Sequence, residues 1–327
     1  MKEIASMVLE IDTHLLKEFE ESLDPSNPED SPIKANVLGY GEISTVFEIP
    51  EHAGPEIAFK RMPLFDNMDQ VSAYEEVYNR YHSALDNIGI RTPEYGSITI
   101  TTNNGRIVLY LYQQKIQSEF IGDNLIHKLP NEQIFDLIRS VLKHLNKVWS
   151  YNQNNQLGLQ IALDGQISNW ALQKSHEEAI SPNSELLYFD TSTPLMRENG
   201  VELLDVELLL KATPPFVRTI LKRFYLQDIV DRYYDLRKVV TDLIANFYKE
   251  QRRELVPSLI EIANEYFKEE AIVHDLQSLT EEEIEDYYKD DASTWALYLR
   301  TRKAHRFIKR KVLRGYYAYI LPPDIER

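Results

Sequence analysis

Residues 160–170 read Gln160-Ile161-Ala162-Leu163-Asp164-Gly165-Gln166-Ile167-Ser168-Asn169-Trp170. An acid is followed by a turn-forming Gly, and an Asn stands five residues after the acid. Trp170, Ala171 and Leu172 continue at once as an apolar run, so the stretch predicts a tight polar loop feeding a short buried strand. A second apolar run, Leu186-Leu187-Tyr188-Phe189-Asp190, ends in another acid. Joined through a polar loop from Gln173 to Glu185, the two runs predict a hairpin that brings Asn169 and Asp190 to one edge. Their oxygens suit Mg²⁺, which takes few protein oxygens and completes its shell with water and phosphate. Asp164 would stand beside them, free to accept a proton.

Upstream, Ile33 to Phe47 and Ile57-Ala58-Phe59-Lys60 read as strands, turned by the Pro50 to Pro55 segment. Gly39 and Gly41 sit between the first two; without a Cβ the backbone there can approach a phosphate. Lys60 ends the next strand. Val71, Tyr74, Val77, Tyr78, Tyr81 and Leu85 recur at helical spacing and predict a helix over 68–86. Glu75, with Val71 four before and Tyr78 three after on its face, is the acid expected to point inward, and Glu76 is the fallback. Tyr95 to Thr102 and Arg106 to Tyr112 flank Asn103-Asn104-Gly105, a hairpin signal. Five strands and one helix result. Gln113 to Ile116 then joins them to a helix-rich remainder, beginning with a long helix over 131–151. Helices are also expected over 201–210, 215–226, 229–247, 255–267 and 293–313.

These parts, in this order, resemble the protein-kinase-like superfamily. Asp164 with Asn169 matches the catalytic-loop pattern D-x-x-x-x-N, and Phe189-Asp190 resembles the start of D-F-G. Gly39-Tyr40-Gly41 with Ser44 and Val46 resembles the glycine-rich loop, Ser44 standing at its third Gly. Ile57-Ala58-Phe59-Lys60 resembles V-A-I-K. The absence of an A-P-E motif after Asp190 makes the chain most similar to the aminoglycoside/choline phosphotransferase branch. The resemblance spans roughly residues 33–250 and implies an α+β, two-lobed protein-kinase-like fold. Its small N-terminal lobe would carry a five-stranded antiparallel sheet and one helix, and its larger C-terminal lobe would be mostly helical. The implied divisions are 1–32 (helix and linker), 33–112 (nucleotide-binding lobe) and 113–327 (helical lobe). ATP and Mg²⁺ are the implied cofactors. Asp164 is the implied catalytic base, Asn169 and Asp190 the metal ligands. Gly39, Gly41, Ser44, Lys60 and Glu75 hold the nucleotide phosphates, and Gln114 and Ile116 hold the adenine edge. The implied reaction moves the γ-phosphate to a small-molecule hydroxyl. The sequence departs from the pattern at Ala162 and Leu163, where the family has His and Arg or Gly, and at Thr191 in place of Gly. Those departures keep a pseudokinase, binding nucleotide or a protein partner without transfer, as the alternative.

The chain has 327 residues, 43% of them hydrophobic, and no cysteine. Disulfides and thiolate zinc sites are therefore excluded. No apolar run approaches the roughly 18 residues that a membrane span needs, and the first residues carry no signal-peptide pattern, so the expected setting is cytoplasmic, with no membrane partner. An apolar face through Ile4, Met7, Val8, Ile11, Leu15 and Phe19 predicts an N-terminal helix over 1–22. A net charge of −16 disfavours nucleic acid as a partner. Residues 300–314 break that pattern, with eight Lys or Arg and no acid. They are expected to form a helix with one buried side, packed antiparallel on the acidic run Glu281 to Asp291 as a docking surface.

Overall fold

The computed structural model describes residues 9–41, 44–52, 56–155, 158–173, 180–224 and 226–322. Expectations touching residues 1–8, Glu42, Ile43, Pro55 and 174–179 lie outside them. Helix α1 (Thr13–Ser22) starts where Asp12 accepts a hydrogen bond from the Leu15 N–H, a side-chain cap that the predicted longer helix did not anticipate. Strands β1 (Asn36–Tyr40), β2 (Thr45–Glu48), β3 (Ile57–Met62), β4 (Tyr95–Thr101) and β5 (Ile107–Gln114) form one antiparallel sheet in the order β1-β2-β3-β5-β4. Helix α2 (Met68–Ile88) crosses between β3 and β4, capped by Asn67. The five-stranded sheet with its single crossing helix agrees with the sequence reading.

Alternation along β3 decides what the sheet's two faces do. Ile57 and Phe59 join Phe19, Phe47, Tyr110 and Ile320 in one core, with α1 as its cover. Met62 points the other way, into a core with Val71, Tyr74 and Tyr78 of α2. Lys60 shares the Met62 side by the same alternation. Arg61 lies on the α1 side, 2% exposed, and grips the fully buried Glu20 through Nε at 2.6 Å and Nη2 at 2.8 Å. Tyr110 donates its hydroxyl to Glu20 at 2.5 Å, and Arg61 Nη1 donates to the Ala318 carbonyl at 2.6 Å. One buried ion pair thus ties α1, the sheet and the C-terminal tail together.

The C-terminal part opens with α3 (Gly122–Lys128) and α4 (Asn131–Asn154). Strand β6 (Leu159–Ile161) leads to the loop that carries Asp164, and β7 (Trp170–Leu172) pairs antiparallel with β8 (Leu186–Tyr188), Trp170 opposite Tyr188. That pair is the hairpin read from the sequence. Residues 201–210, expected as a helix, are instead the two-residue strand β10 (Val201–Glu202), paired with β9 (Met196–Glu198), followed by a 3-10 segment over Val206–Leu210. Pairing of β9 with both β10 and β6 overrides the helical pattern. Helices α5 (Pro215–Phe224), α6 (Leu226–Asp231), α7 (Leu236–Lys249) and α8 (Val256–Glu269) complete the lower body, around a core that includes Trp149, Trp170, Leu243 and Phe247.

Helix α9 (Glu281–Phe307) corrects another expectation. The acidic and basic runs lie along one continuous helix, so they cannot pack antiparallel on each other. The acids find other partners: Arg237 holds Glu283 at 2.5 and 2.6 Å, and Arg232 and Arg253 approach Asp291 and Glu285 at 3.9 Å each. Nor is the basic end half-buried, since Phe307, Ile308, Val312 and Leu313 are all exposed.

Candidate active site

Lys60, at the fourth position of β3, reaches across the chain to the end of the β7–β8 hairpin. Its Nζ donates to Asp190 Oδ1 at 2.6 Å and to Ser192 Oγ at 2.8 Å, and Ser192 Oγ donates to the same carboxylate oxygen at 3.0 Å. Burial alone would raise the Asp190 pKa; Lys60 and Ser192 more than offset it and hold the carboxyl below the usual range. Asp190 is therefore an anion poised against a lysine. Ser192 was missed in the sequence, where nothing local marks a hydroxyl two residues after an acid as a partner.

Asp164 and Asn169 sit on the loop after β6, and the loop is braced from within. The Gln166 N–H donates to Asp164 Oδ1 at 3.2 Å, the Asn169 side-chain amide donates to the Asp164 carbonyl at 3.3 Å, and the Asp164 N–H donates to the Tyr188 hydroxyl at 3.2 Å. The Phe189 N–H donates to the Asn169 carbonyl at 3.2 Å, so hairpin geometry brings the Asn169 and Asp190 ends together. Burial, with the nearby charges of Asp242 and Asp190, pushes the Asp164 carboxyl up to about 7. Asp242, on α7, accepts from Gln166 Nε2 at 3.1 Å and from the Tyr287 hydroxyl at 3.0 Å. Its own carboxyl is also raised, by burial, against the pull of Arg232. Gln166 stands between the two raised carboxyls, its N–H on Asp164 and its side-chain amide on Asp242. The sequence reading did not find Asp242, which is 78 positions from Asp164 on a helix that carries other polar residues.

Helix α2 touches this loop with one face. Tyr74 donates its hydroxyl to the Ser192 carbonyl at 2.8 Å, Tyr81 to the Ala162 carbonyl at 2.7 Å, and His82 Nε2 lies 3.0 Å from Thr191 Oγ1. Burial drives His82 down to about 3, which leaves it neutral. The Ala162 position, where the resembled family carries a bracing His, is thus held by Tyr81 from another element. Glu75, expected to brace Lys60, does something else. Its carboxylate accepts from Ser97 Oγ at 2.6 Å on β4, and among the described residues no ion pair joins it to Lys60. Glu75 lies one step round the helix from Tyr74, which faces the loops in its place. Glu76 is exposed.

Gly39 lies in β1, where a Cβ would meet nothing within 4 Å. No packing among the described residues requires a glycine there. Gly41 donates its N–H to the Ser44 carbonyl at 3.0 Å. Ser44 is buried and borders a narrow gap shared with Arg61, Arg302 and Tyr319, which none of the other proposed site residues lines. At the segment between the two halves, the Gln114 N–H is taken by the Glu94 carbonyl at 2.9 Å. Ile116 keeps its backbone N–H and carbonyl free of hydrogen bonds among the described residues. A surface hollow of about 550 Å³, lined by α1 residues with Pro32, Ile33 and Asn103, shares no residue with this site.

A family profile described as "Family of unknown function (DUF6206)" matches residues 24–306. No curated protein matches the chain. Among solved structures, WaaP in complex with acyl carrier protein aligns at 11% identity over 83% of this chain and 89% of that one, with a TM-score of 0.38. A superposition that loose carries no weight for the site.

Proposed function

We propose that this chain, which belongs to the DUF6206 family, is an ATP-dependent phosphotransferase of kinase-like, two-lobed build acting on a small-molecule hydroxyl. The observation that carries the reading is one meeting point. Lys60 of β3 touches Asp190, 130 positions away, beside the loop holding Asp164 and Asn169. In this reading residues 33–112 form the nucleotide lobe, 113–327 the helical lobe and 1–32 an added helix and linker.

The donor chemistry fits Mg²⁺. Asp190 and Asn169 both offer hard side-chain oxygens, and the hydrogen bonds from Lys60 and from the Ser192 hydroxyl fall on Asp190 Oδ1. No cluster of three or more His, Asp or Glu suited to a metal occurs among those residues, so water and phosphate would complete the shell. When bound there, the ion would neutralise charge on the phosphates. Lys60 exchanges Asp190 Oδ1 for phosphate oxygens. Gly39 leaves room for a phosphate to approach β1. Asp164, with a pKa near 7, takes the acceptor's proton as the hydroxyl oxygen bonds to the γ-phosphorus and the bond to the departing ADP oxygen breaks. Gln166 and Asp242 hold that carboxyl's surroundings in place.

Thermal unfolding with and without Mg–ATP tests the binding half of the proposal. Ligand at about 100 times its dissociation constant should add roughly 2.7 kcal/mol, and Lys60→Ala should remove the gain. ATP consumption over pools of hydroxyl-bearing metabolites tests the transfer half; Asp164→Ala should lower turnover by about 10²–10⁴-fold. No stabilisation by any nucleoside triphosphate would sink the proposal. A second reading, nucleotide binding without transfer, is favoured by one feature: Lys60 is closed on Asp190 and Ser192 and lacks the Glu75 brace. Stabilisation by ATP with equal turnover in wild type and Asp164→Ala would select it.

A further inference from the structure

Every residue from Phe307 to Tyr316 is exposed. Phe307, Ile308, Val312 and Leu313 are 62%, 48%, 65% and 69% exposed, and Lys309, Arg310, Lys311 and Arg314 stand among them. Isolated exposed apolar side chains are ordinary, but four within seven positions form a patch of the kind that marks an interaction site. Their charges are barely compensated within the chain. Among the described residues, this segment's ion pairing is limited to Arg310 with Asp24 at 3.5 Å, a surface pair of small consequence.

The patch is presented by structure on both sides. It comprises the last residue of α9 and a π-helical turn over Ile308–Val312. The Leu313 N–H donates to the Ile308 carbonyl at 3.0 Å and the Gly315 N–H to the Lys309 carbonyl at 2.8 Å, closing the turn. Buried Leu299 and Arg302 anchor it before, and buried Tyr317 and Ile320 anchor it after. A turn held this way loses little further freedom on docking.

We propose that Phe307–Tyr316 docks on the surface of an anionic lipid bilayer. Phe307, Ile308, Val312 and Leu313 enter the headgroup boundary, and the interleaved Lys and Arg side chains meet lipid phosphates while their stems lie along the apolar layer. Charge and apolarity together select this occupant. A second copy joined through the same patch would set Lys309, Arg310 and Lys311 against their own repeats. A nucleic-acid strand would satisfy the charges and leave the four apolar side chains in water. No helix among the described residues is long and apolar enough to cross a membrane; the contact proposed is with the bilayer surface. It revises the expectation that membranes play no part, and it stands independently of the phosphotransferase reading.

Co-sedimentation of the full chain at physiological salt tests it, using phosphatidylcholine vesicles with and without a third of phosphatidylglycerol. Binding to the anionic vesicles alone is expected. Lys309→Glu/Arg310→Glu/Lys311→Glu should weaken it roughly hundredfold, from about 1 kcal/mol per basic residue at the surface. Phe307→Ser/Val312→Ser/Leu313→Ser should also weaken it while leaving the far-ultraviolet circular dichroism unchanged, since all three side chains are exposed. Equal binding to neutral vesicles, or none to anionic ones, would overturn the proposal. So would tight binding of a short RNA that survives the apolar triple change and outcompetes the vesicles.

Discussion

Asp164 is the side chain whose charge decides most. With its carboxyl raised to about 7, kcat/KM of the proposed transfer should climb as pH rises through neutrality, because only the ionised form accepts a proton. Asp242→Asn removes a like charge and should move that limb to lower pH; a pH–rate profile in both chains checks it. Stability runs the opposite way. A carboxyl whose folded pKa lies above its unfolded one stabilises the fold at low pH and stops doing so as pH rises through the folded value. Asp164→Asn should therefore raise the thermal midpoint at pH 8 relative to wild type and change it less at pH 5. Asp190 has the reverse sign: depressed by Lys60 against burial, it stabilises above the ordinary carboxylate range, and that stability is lost as pH falls through its lowered pKa. The placement of Lys60, Asp164, Asn169 and Asp190 near one another was legible because Lys60 lies in a short strand and the other three in or beside tight turns only a few residues long. Glu75 was misread because helix phase tolerates an error of one position, and Tyr74 took the inward place. Ser192 and Asp242 left no local mark.

Helix α2 works as the strut between the sheet and the loops below. Tyr74 and Tyr81 each end in one buried hydrogen bond to a loop carbonyl, at Ser192 and Ala162. Tyr81→Phe should cost about 1–3 kcal/mol, the penalty for leaving the Ala162 carbonyl unpaired, as read from denaturant unfolding. Helix α3 contributes from the other side through Gly122, where a Cβ would stand 2.2 Å from the Ile167 carbonyl oxygen. Gly122→Ala should destabilise by about 1–3 kcal/mol and push the turn bearing Asn169 outward, lowering proposed nucleotide affinity more than overpacking far from the site would. The helices and the large sheet were readable from period, since long elements average out single-residue noise. The β9–β10 turn was not read, although Asn199-Gly200 carries the signal: both residues have positive φ, 51° and 80°, the conformation of a tight hairpin. An apolar spacing over 201–210 masked it.

The buried Arg61–Glu20 pair couples three distant parts of the chain, and that gives it more weight than an ordinary contact. Glu20→Ala would strand a buried guanidinium and should cost about 3–5 kcal/mol. Glu20→Met with Arg61→Met should cost much less than the single change, because the charge and its partner leave together; equilibrium unfolding of both variants checks the difference. The two-part organisation was visible in sequence as strands followed by helices. The closing of residues 316–321 over the sheet's far face was not, because it depends on pairing across 257 positions, and no local pattern encodes such a contact.

That pairing has a consequence for how the protein is made. A ribosome releases the sheet's strands long before Ala318, which follows Arg61 by 257 positions. Until then the core around Phe19, Phe47 and Phe59 lacks Ile320, and Arg61 lacks one of its acceptors. The sheet is thus made early and its far face completed only when residues 318–320 arrive. Nascent chains paused before Tyr316 should present an open sheet face to chaperones and proteases alike, and that face should shut only as the tail emerges.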